Sequence, residues 1–178
     1  MNTVLQKDCL RYSKKKLMPR FQIYYRKLQN SRGGVKRLFY KVMFVLYRNK
    51  CHVDLSEKTQ IGEGLYLGHP FCTTINPNAI IGKNCNIHKG VTIGQENRGK
   101  RKGAPVIGDH VWIGVNSTIV GKVTVGNDVL IAPNTYVNVD IPDHAVVFGN
   151  PCIIKHKEFA TEGYIIDRSM HNEQIQPV

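Results

Sequence analysis

Branched aliphatic residues recur every six positions through the middle of the chain, and most are followed by glycine or another small residue. The frames between residue 61 and about residue 142 include IGEGLY, IGKNCN, IGDHVW and IGVNST. A fixed six-residue period is typical of a parallel β-helix, in which three short strands make one triangular coil of about 18 residues. We therefore predict a mainly β fold in which one aliphatic residue of each strand points inward. These residues are Ile61, Leu67, Ile81, Ile87, Ile93, Ile107, Ile113, Ile119, Val125 and Ile131.

The six-residue phase breaks twice, between Leu67 and Ile81 and between Ile93 and Ile107. Each step is 14 residues, so we expect a segment to leave the helical path at each place. The first segment, HPFCTTINPNA, carries a histidine, proline and small polar residues. The second, the loop 95–105, is glycine-rich and strongly basic. Such loops are where a solenoid usually builds its binding site, although both segments could be no more than solvated turns.

Residues 1–50 carry a large share of the lysines and arginines behind the formal net charge of +12, interleaved with apolar residues at helical spacing. This pattern predicts two basic amphipathic helices that are separated at SRGG. Because aromatic stripes at helical spacing are usually core, we expect packing on the coils or on a neighbouring subunit in preference to an anionic membrane surface. The two stripes are Phe21, Tyr24, Tyr25 and Leu28, and Val35, Leu38, Phe39, Val42, Met43 and Leu46.

Composition narrows the class of protein. The chain has 178 residues, of which 42% are hydrophobic and 21% charged, as expected for one soluble domain with modest attachments. The N-terminus lacks a signal-peptide pattern, and the longest apolar run is far shorter than the ~20 residues of a membrane span. Five scattered cysteines without a C-x-x-C motif indicate reduced thiols and a cytoplasmic location. The basic charge accompanies no recognised nucleic-acid-binding motif, so we expect no nucleic-acid partner.

Among the seven histidines, His69 is distinguished by its place at the first phase break. Asp54 precedes it by 15 residues, close to one coil, so the carboxylate and the imidazole can be neighbours. An alcohol that attacks an acyl group must lose its proton, and an imidazole is a suitable base. Asp54 would orient the ring and stabilise the imidazolium. The alternative is a surface histidine beside an unrelated acid. We expect His88 to face solvent, and no two histidines have the close spacing of a three-histidine zinc site, so no metal is expected.

Several motifs from Val53 to about Lys155 occur together in one known family. They are V-D-L-S ahead of I-G-E-G, L-x-H at Leu67 to His69, G-V-T-I-G at Gly90 to Gly94, the loop that ends at Pro105, V-W-I-G at Val111 to Gly114, and F-G-N-P at Phe148 to Pro151. With these motifs the chain resembles the hexapeptide-repeat acetyltransferases, most closely the serine acetyltransferase type. The resemblance implies a left-handed β-helix, a homotrimer with sites between subunits, and transfer of acetyl from acetyl-CoA to a hydroxyl. It makes His69 the general base and Asp54 its partner.

Coenzyme A is an extended thiol with several phosphates, so its site should offer strand-like backbone to the pantetheine arm and cations to the phosphates. The candidate contacts to the arm are turn residues about one coil apart, Gly114, Val115, Ala132 and Pro133. The candidate phosphate contacts are Lys155, Lys157 and the cluster Lys100, Arg101 and Lys102. Gly94 and Gln95, where the loop departs, could donate a backbone N–H to the tetrahedral oxyanion.

The chain departs from the serine acetyltransferase pattern at two places. The family usually has an aspartate directly before the catalytic histidine, where this chain has Gly68, and an Arg-His pair where it has Gly103 and Ala104. Those side chains help to hold the charged groups of the amino acid, and a buried charge without a partner is costly. L-Serine and a sugar of a capsular polysaccharide or exopolysaccharide therefore both stay open as acceptors. A non-catalytic trimeric scaffold is the alternative function.

The predicted organisation has three parts. Residues 1–50 form the basic helices, residues 51–155 form the β-helix with the loop 95–105, and residues 156–178 form a tail without assigned chemistry. We do not expect a nucleotidyltransferase, in which such a β-helix follows a nucleotide-binding domain, because the roughly 50 residues before the coils contain no glycine-rich phosphate loop.

Overall fold

A computed structural model of the chain describes residues 3–13 and 17–165, in which short strands stack on three faces of a triangular solenoid. The strands of each face are parallel, and only the final strand pairs in the antiparallel sense. The prediction of a parallel β-helix is confirmed. Lys14, Lys15, Lys16 and the end of the predicted tail, 166–178, lie outside the described residues.

The chain visits faces A, B and C in turn. Face A contains β1 (Asp54–Leu55), β4 (Thr74–Ile75), β7 (Thr92–Gly94), β10 (Thr118–Val120) and β13 (Tyr136–Val137). Face B contains β2 (Gln60–Ile61), β5 (Ile80–Ile81), β8 (Val106–Ile107) and β11 (Thr124–Val125). Face C contains β3 (Tyr66–Gly68), β6 (Asn86–His88), β9 (Trp112–Ile113), β12 (Val129–Ile131), β14 (Ala145–Phe148) and β15 (Ile153–His156).

The core of the solenoid is the predicted ladder of aliphatic side chains. All the residues assigned to it from the six-residue repeat are buried. Leu55, Ile75 and Val137 extend the same ladder on face A, where Leu55 and Ile75 face each other in the register of β1 and β4. Branched aliphatic residues suit this arrangement because they pack well against their equivalents on neighbouring strands.

The first phase break is smaller than the sequence analysis predicted. Leu67 and Ile75 lie on consecutive faces eight positions apart, so the corner between them is longer by only two residues. The segment HPFCTTINPNA therefore does not leave the coil, because its middle forms β4 and carries the buried Ile75. The second break is a true excursion. All eight additional residues between Ile93 and Ile107 lie in the loop 95–105, between face A and face B.

Three helices precede the coils, and not the predicted two. They are α1 (Thr3–Leu10), α2 (Arg20–Gln29) and α3 (Gly34–Lys50). The short α1 has a weak apolar pattern and was missed. The break between α2 and α3 falls at SRGG as predicted, because Gly33 and Gly34 both adopt positive φ angles that other residues rarely adopt. No helix in residues 3–13 and 17–165 is both long and apolar enough to cross a bilayer.

The two predicted apolar stripes have different surroundings. In the stripe of α2, Phe21, Tyr25 and Leu28 are buried as expected. The stripe predicted on α3 is largely exposed, and the one buried residue of that helix, Phe44, lies on the opposite side. In the described part of the chain this stripe does not pack on the coils, and its contact with a neighbouring subunit stays a prediction. Helix α3 contacts α2 through aromatic rings, and Tyr47 stacks on Tyr24 with 5.7 Å between the ring centroids.

A buried ion pair joins the helices to the first coil. Asp8 and Arg26 are both almost inaccessible to solvent, and their side chains approach to 2.8 Å. Arg26 also donates to the backbone carbonyl groups of Ile61 and Gly62, at 2.8 Å and 2.6 Å, and Asp8 accepts from the N–H of Leu65 at 3.0 Å. Each charge is thus compensated by hydrogen bonds, which is the condition for a buried ion pair to be tolerated.

The described part of the tail, residues 157–165, lies along the outer side of face C. Asp128 accepts hydrogen bonds from the hydroxyl and the N–H of Thr161, the N–H of Ala160 and the imidazole of His144. Burial raises the pKa of the Asp128 carboxyl, but these hydrogen bonds outweigh burial and hold the pKa below its usual range. The carboxylate therefore fixes the tail to the corner between face B and face C.

We expect Asp8→Asn to destabilise the protein strongly. The substitution leaves the Arg26 guanidinium buried without its carboxylate, a loss that typically costs about 3–5 kcal/mol. Urea denaturation followed by far-ultraviolet circular dichroism measures the effect. The matched control is Glu63→Gln, which removes the more exposed ion pair with Lys7 and should change the midpoint little. Equal midpoints for the two variants would contradict the role of the buried pair.

Candidate active site

The candidate residues gather mainly at one edge of the solenoid, where the chain turns from face C to face A. We call it the C–A edge, and it consists of the successive corners around residues 51–53, 69–73, 89–91, 115–117 and 133–135. Backbone hydrogen bonds of 2.9–3.1 Å connect each corner to the next, as between Cys72 N–H and Cys51 O and between Gly90 N–H and Phe71 O. The edge is therefore a continuous ridge.

His69 lies in the corner that is two residues longer than the others. It adopts a left-handed backbone conformation with φ 52°, and its carbonyl accepts a hydrogen bond of 2.7 Å from Phe71 N–H. A non-glycine residue in this conformation is uncommon and marks a tight turn. The turn leaves the His69 side chain exposed at the C–A edge, where it can meet a bound molecule.

Asp54 begins face A beside the same corner. Its N–H donates to the carbonyl of Thr73 at 2.8 Å, so its backbone touches the end of the segment that carries His69. The carboxylate is 77% exposed and lies 4.0 Å from the guanidinium of Arg48. In the described part of the chain, no hydrogen bond joins the side chains of Asp54 and His69. The structure places both residues at one corner, and their pairing stays a prediction.

The candidate contacts to coenzyme A lie farther along the same edge. Gly114 N–H donates to Ile131 O at 2.8 Å, and Asn134 N–H donates to Val115 O at 2.9 Å. The packing between these corners is tight, since a Cβ on Gly114 would lie 2.5 Å from the backbone nitrogen of Pro133. Val115 and Pro133, with Gly114 and Ala132 beside them, therefore form a narrow backbone ridge in line with His69.

The candidate oxyanion donors lie at a different edge. Gly94 ends β7 where the chain turns from face A to face B, and its carbonyl accepts from Gly121 N–H at 3.2 Å. The loop 95–105 starts there and is closed by two hydrogen bonds of 2.9 Å between the backbones of Glu96 and Gly103. Gln95 and the cations Lys100, Arg101 and Lys102 belong to this A–B edge. Within one chain, face A separates them from His69.

The two C-terminal lysines are not equivalent. Lys155 Nζ lies 5.8 Å from the ring centroid of Phe148, whose strand ends at the C–A edge. Lys157 N–H donates to His144 O at 2.8 Å, at the corner between face B and face C. Only Lys155 therefore lies toward the edge of the other coenzyme A candidates.

A histidine from the next coil fills the space beside Gly68. A Cβ on Gly68 would lie 2.5 Å from Nδ1 and 2.6 Å from Cε1 of His88, the residue that faces it in the register of β3 and β6. The His88 ring lies 4.7 Å from Trp112 and 6.4 Å from Tyr66, measured between centroids. His88 is therefore packed among rings on the outer side of face C, and the expectation that it faces solvent is wrong.

Two further residues of this ring cluster were not singled out from the sequence. Trp112 packs against Tyr164 of the tail with 5.2 Å between centroids, and the Tyr164 carbonyl accepts from the Asn86 amide at 3.2 Å. Trp112 precedes an inward isoleucine in the six-residue frame, so its outward position beside His88 was available from the pattern. Tyr164 lies beyond the repeat, and no sequence signal placed it there.

No group of three histidine, cysteine, aspartate or glutamate side chains in residues 3–13 and 17–165 is arranged to hold a metal ion.

Comparison with known proteins identifies serine acetyltransferases among the proteins similar to this chain. Residues 104–138 match the family model described as bacterial transferase hexapeptide (six repeats). A serine acetyltransferase of Helicobacter pylori is 30% identical over 118 residues, which are 65% of this chain and 69% of that protein. Serine acetyltransferase 2 of Arabidopsis thaliana is 34% identical over 99 residues, 56% of this chain, and the chain spans only 31% of that relative.

A solved structure agrees with these relatives. The crystal structure of Neisseria gonorrhoeae serine acetyltransferase in complex with serine is 28% identical to this chain and superposes with a TM-score of 0.61. The match covers 76% of this chain and 53% of the other, so the chain spans about half of that protein. The shared part includes most of the solenoid.

We expect Gly68→Ala to destabilise the protein and His88→Ala to relieve the effect. The added methyl group would overlap the imidazole, and forced overpacking typically costs about 1–3 kcal/mol. Thermal unfolding of the two single variants and the double variant measures the coupling. Gly94→Ala is the matched control, because its Cβ would meet nothing closer than 3.7 Å. Additive effects of Gly68→Ala and His88→Ala would show that the two sites are independent.

Proposed function

The chain belongs to the serine acetyltransferase family, and we propose that it transfers an acetyl group from acetyl-CoA to a hydroxyl acceptor. The observation that carries this proposal is the C–A edge, with an exposed imidazole at one corner and a narrow backbone ridge in line with it. Such a ridge suits an extended pantetheine arm, because strand-like backbone groups can approach it closely. The thioester at the end of the arm would then lie beside His69.

In this proposal His69 is the general base. Its free ring nitrogen takes the proton of the acceptor hydroxyl as the oxygen attacks the thioester carbonyl. The C–S bond of the resulting tetrahedral oxyanion then breaks, and the imidazolium returns the proton to the departing sulfur of coenzyme A. Asp54 stabilises the imidazolium. Both side chains are exposed and start from one corner, so they can pair when a bound acceptor excludes water.

We propose that the complete site forms between neighbouring copies of the chain. The base lies at the C–A edge, whereas Gly94, Gln95 and the basic loop lie at the A–B edge, on the other side of face A. A neighbouring copy that presents its A–B edge to His69 would supply the oxyanion donor and the cations of Lys100, Arg101 and Lys102. Lys155 remains a candidate phosphate contact on the chain that provides His69. In a homotrimer, this arrangement would bring the candidate residues of the two edges together in one site.

The structure bears on the choice of acceptor. The space beside His69 that an aspartate side chain would need is occupied by the His88 ring, so no carboxylate at position 68 can receive an ammonium group. A neutral sugar hydroxyl needs no such partner, and we propose a sugar as the acceptor. L-Serine is the second candidate, favoured by the relative whose crystal structure contains serine.

We expect His69→Ala to lower the rate of acetyl transfer by roughly 10²–10⁴-fold, the usual contribution of a general base. The affinity for coenzyme A, measured by calorimetry, should change little, because the imidazole acts on the acceptor. Asp54→Asn should cause a smaller loss. His156→Ala is the matched control, an exposed histidine on β15 away from the C–A edge.

Full activity of His69→Ala would show that another group is the base. If the unaltered protein neither binds coenzyme A nor transfers acetyl to any alcohol, the proposal of an enzyme fails and a non-catalytic scaffold takes its place.

A panel of acceptors with labelled acetyl-CoA tests the substrate class. We expect label in neutral sugars and nucleotide sugars, and a much lower kcat/KM for L-serine, since its ammonium group would have no carboxylate at position 68 to receive it. The paired variant Gly68→Asp with His88→Ala should shift the preference toward L-serine. A high kcat/KM for L-serine in the unaltered protein, with no label in the sugars, would make the amino acid the acceptor.

A further inference from the structure

The outer face of α3 is the largest run of exposed apolar side chains on any helix of the described chain. It consists of Val35, Leu38, Phe39, Val42 and Leu46, whose exposed fractions are 85%, 63%, 52%, 48% and 53%. At 3.6 residues per turn these side chains fall within an arc of about 100° and extend over about 17 Å of the helix. An apolar stripe of this width is what a helix normally buries against a partner. Within the described chain most of the face is uncovered, and the Phe39 ring meets the edge of the Tyr24 ring with 6.3 Å between centroids.

The helix that carries this face is firmly held. On its other side, Phe44 is buried and its ring lies 5.9 Å from that of Tyr25. Arg37 donates to Leu28 O at 2.9 Å, and Arg48 donates to Leu55 O at 2.6 Å. The outer face is therefore formed before any partner arrives, so binding would require little ordering of the chain.

The charged residues of α3 itself are all positive. Between Asp8 and Asp54 the sequence contains 13 lysines and arginines and no acidic residue. On the helical projection Lys36 and Lys50 border one side of the apolar arc and Lys41 borders the other. The Glu57 carboxylate contacts Arg37 and Lys41 at 3.4 Å, so it offsets part of the charge of Lys41 but touches neither Lys36 nor Lys50 in the ion pairs of the described chain. The apolar stripe thus has a cationic rim.

This charge distribution discriminates between two possible occupants. A second copy of the same face would bring an identical cationic rim against the first, and like charges at close range repel. An anionic lipid surface complements both features, because acyl chains accept the apolar stripe and headgroups accept the lysines. We propose that the outer face of α3 binds the surface of an anionic phospholipid bilayer, with the helix lying in the plane of the interface.

The proposal is independent of the acetyl-transfer reaction and is tested with the full chain and lipid vesicles. We expect the protein to sediment with phosphatidylcholine vesicles that contain phosphatidylglycerol and to remain in solution with phosphatidylcholine alone. Binding should weaken as salt rises, since screening reduces the attraction of the lysines.

Leu38→Glu should weaken vesicle binding by roughly tenfold or more, because it replaces an apolar side chain of the face by a charge. Ile153→Glu is the matched control, an aliphatic residue on β15 with an exposed fraction of 53%, against 63% for Leu38. Lys36→Gln should weaken binding roughly fivefold, in line with the contribution of one lysine near an anionic surface. Its control is Lys83→Gln, an exposed lysine at the corner between face B and face C. Circular dichroism confirms that each variant is folded.

Equal binding of Leu38→Glu and the unaltered protein, or no binding to anionic vesicles at all, would overturn the proposal. Sedimentation velocity without lipid tests whether a second copy of the chain occupies the face instead. An oligomer of the unaltered protein that dissociates in Leu38→Glu but not in Ile153→Glu would assign the face to a contact between copies, and would likewise overturn lipid binding.

Discussion

Each coil of the solenoid must close before the next begins, and this constraint determines where the chain can accommodate residues that do not belong to the core. Every inward aliphatic residue has to meet its equivalent one coil below, and an insertion within a strand would turn the core residues outward. Additional residues are therefore accommodated at corners. The chain has two such places, the corner of His69 with two extra residues and the loop 95–105 with eight. Both carry candidate functional residues, while the strands between them carry the packing.

The repeat predicted the core because each face of a regular coil contributes one inward residue, so inward residues recur every six positions. It failed where the spacing changes, and Ile75 was assigned to a loop because the longer corner before it had shifted the phase. The surroundings of the apolar stripe on α3 could not be predicted for another reason. Periodicity shows which residues share a side of a helix, but not what covers that side. Of the site, the common corner of Asp54 and His69 could be predicted from sequence. The separation of Gly94 from His69 could not, because it depends on which corner each occupies.

Gly68 illustrates how a difference from a family pattern acquires meaning from the fold. In the sequence it is a missing carboxylate. In the structure, Gly68 faces His88, and the missing side chain leaves the space that the His88 ring fills. His88 lies one coil away and 20 positions later. The relation is invisible without the register, since the longer corner displaces the usual spacing of 18. A change at one of these positions without the other would leave either an overlap or a cavity, so substitutions at positions 68 and 88 should be coupled.

The location of α3 relative to the C–A edge connects lipid binding with the proposed chemistry. Cys51 follows the last residue of α3 directly, and its carbonyl accepts a hydrogen bond of 3.1 Å from Cys72, within the corner that carries His69. The candidate base is thus at the helical end of the solenoid. Ala132 and Pro133 lie three coils farther along, roughly 14 Å at the spacing of paired strands. A protein resting on a bilayer through α3 would therefore have its candidate base in the coils next to the membrane-binding helix, and its coenzyme A ridge in the coils farther from that helix.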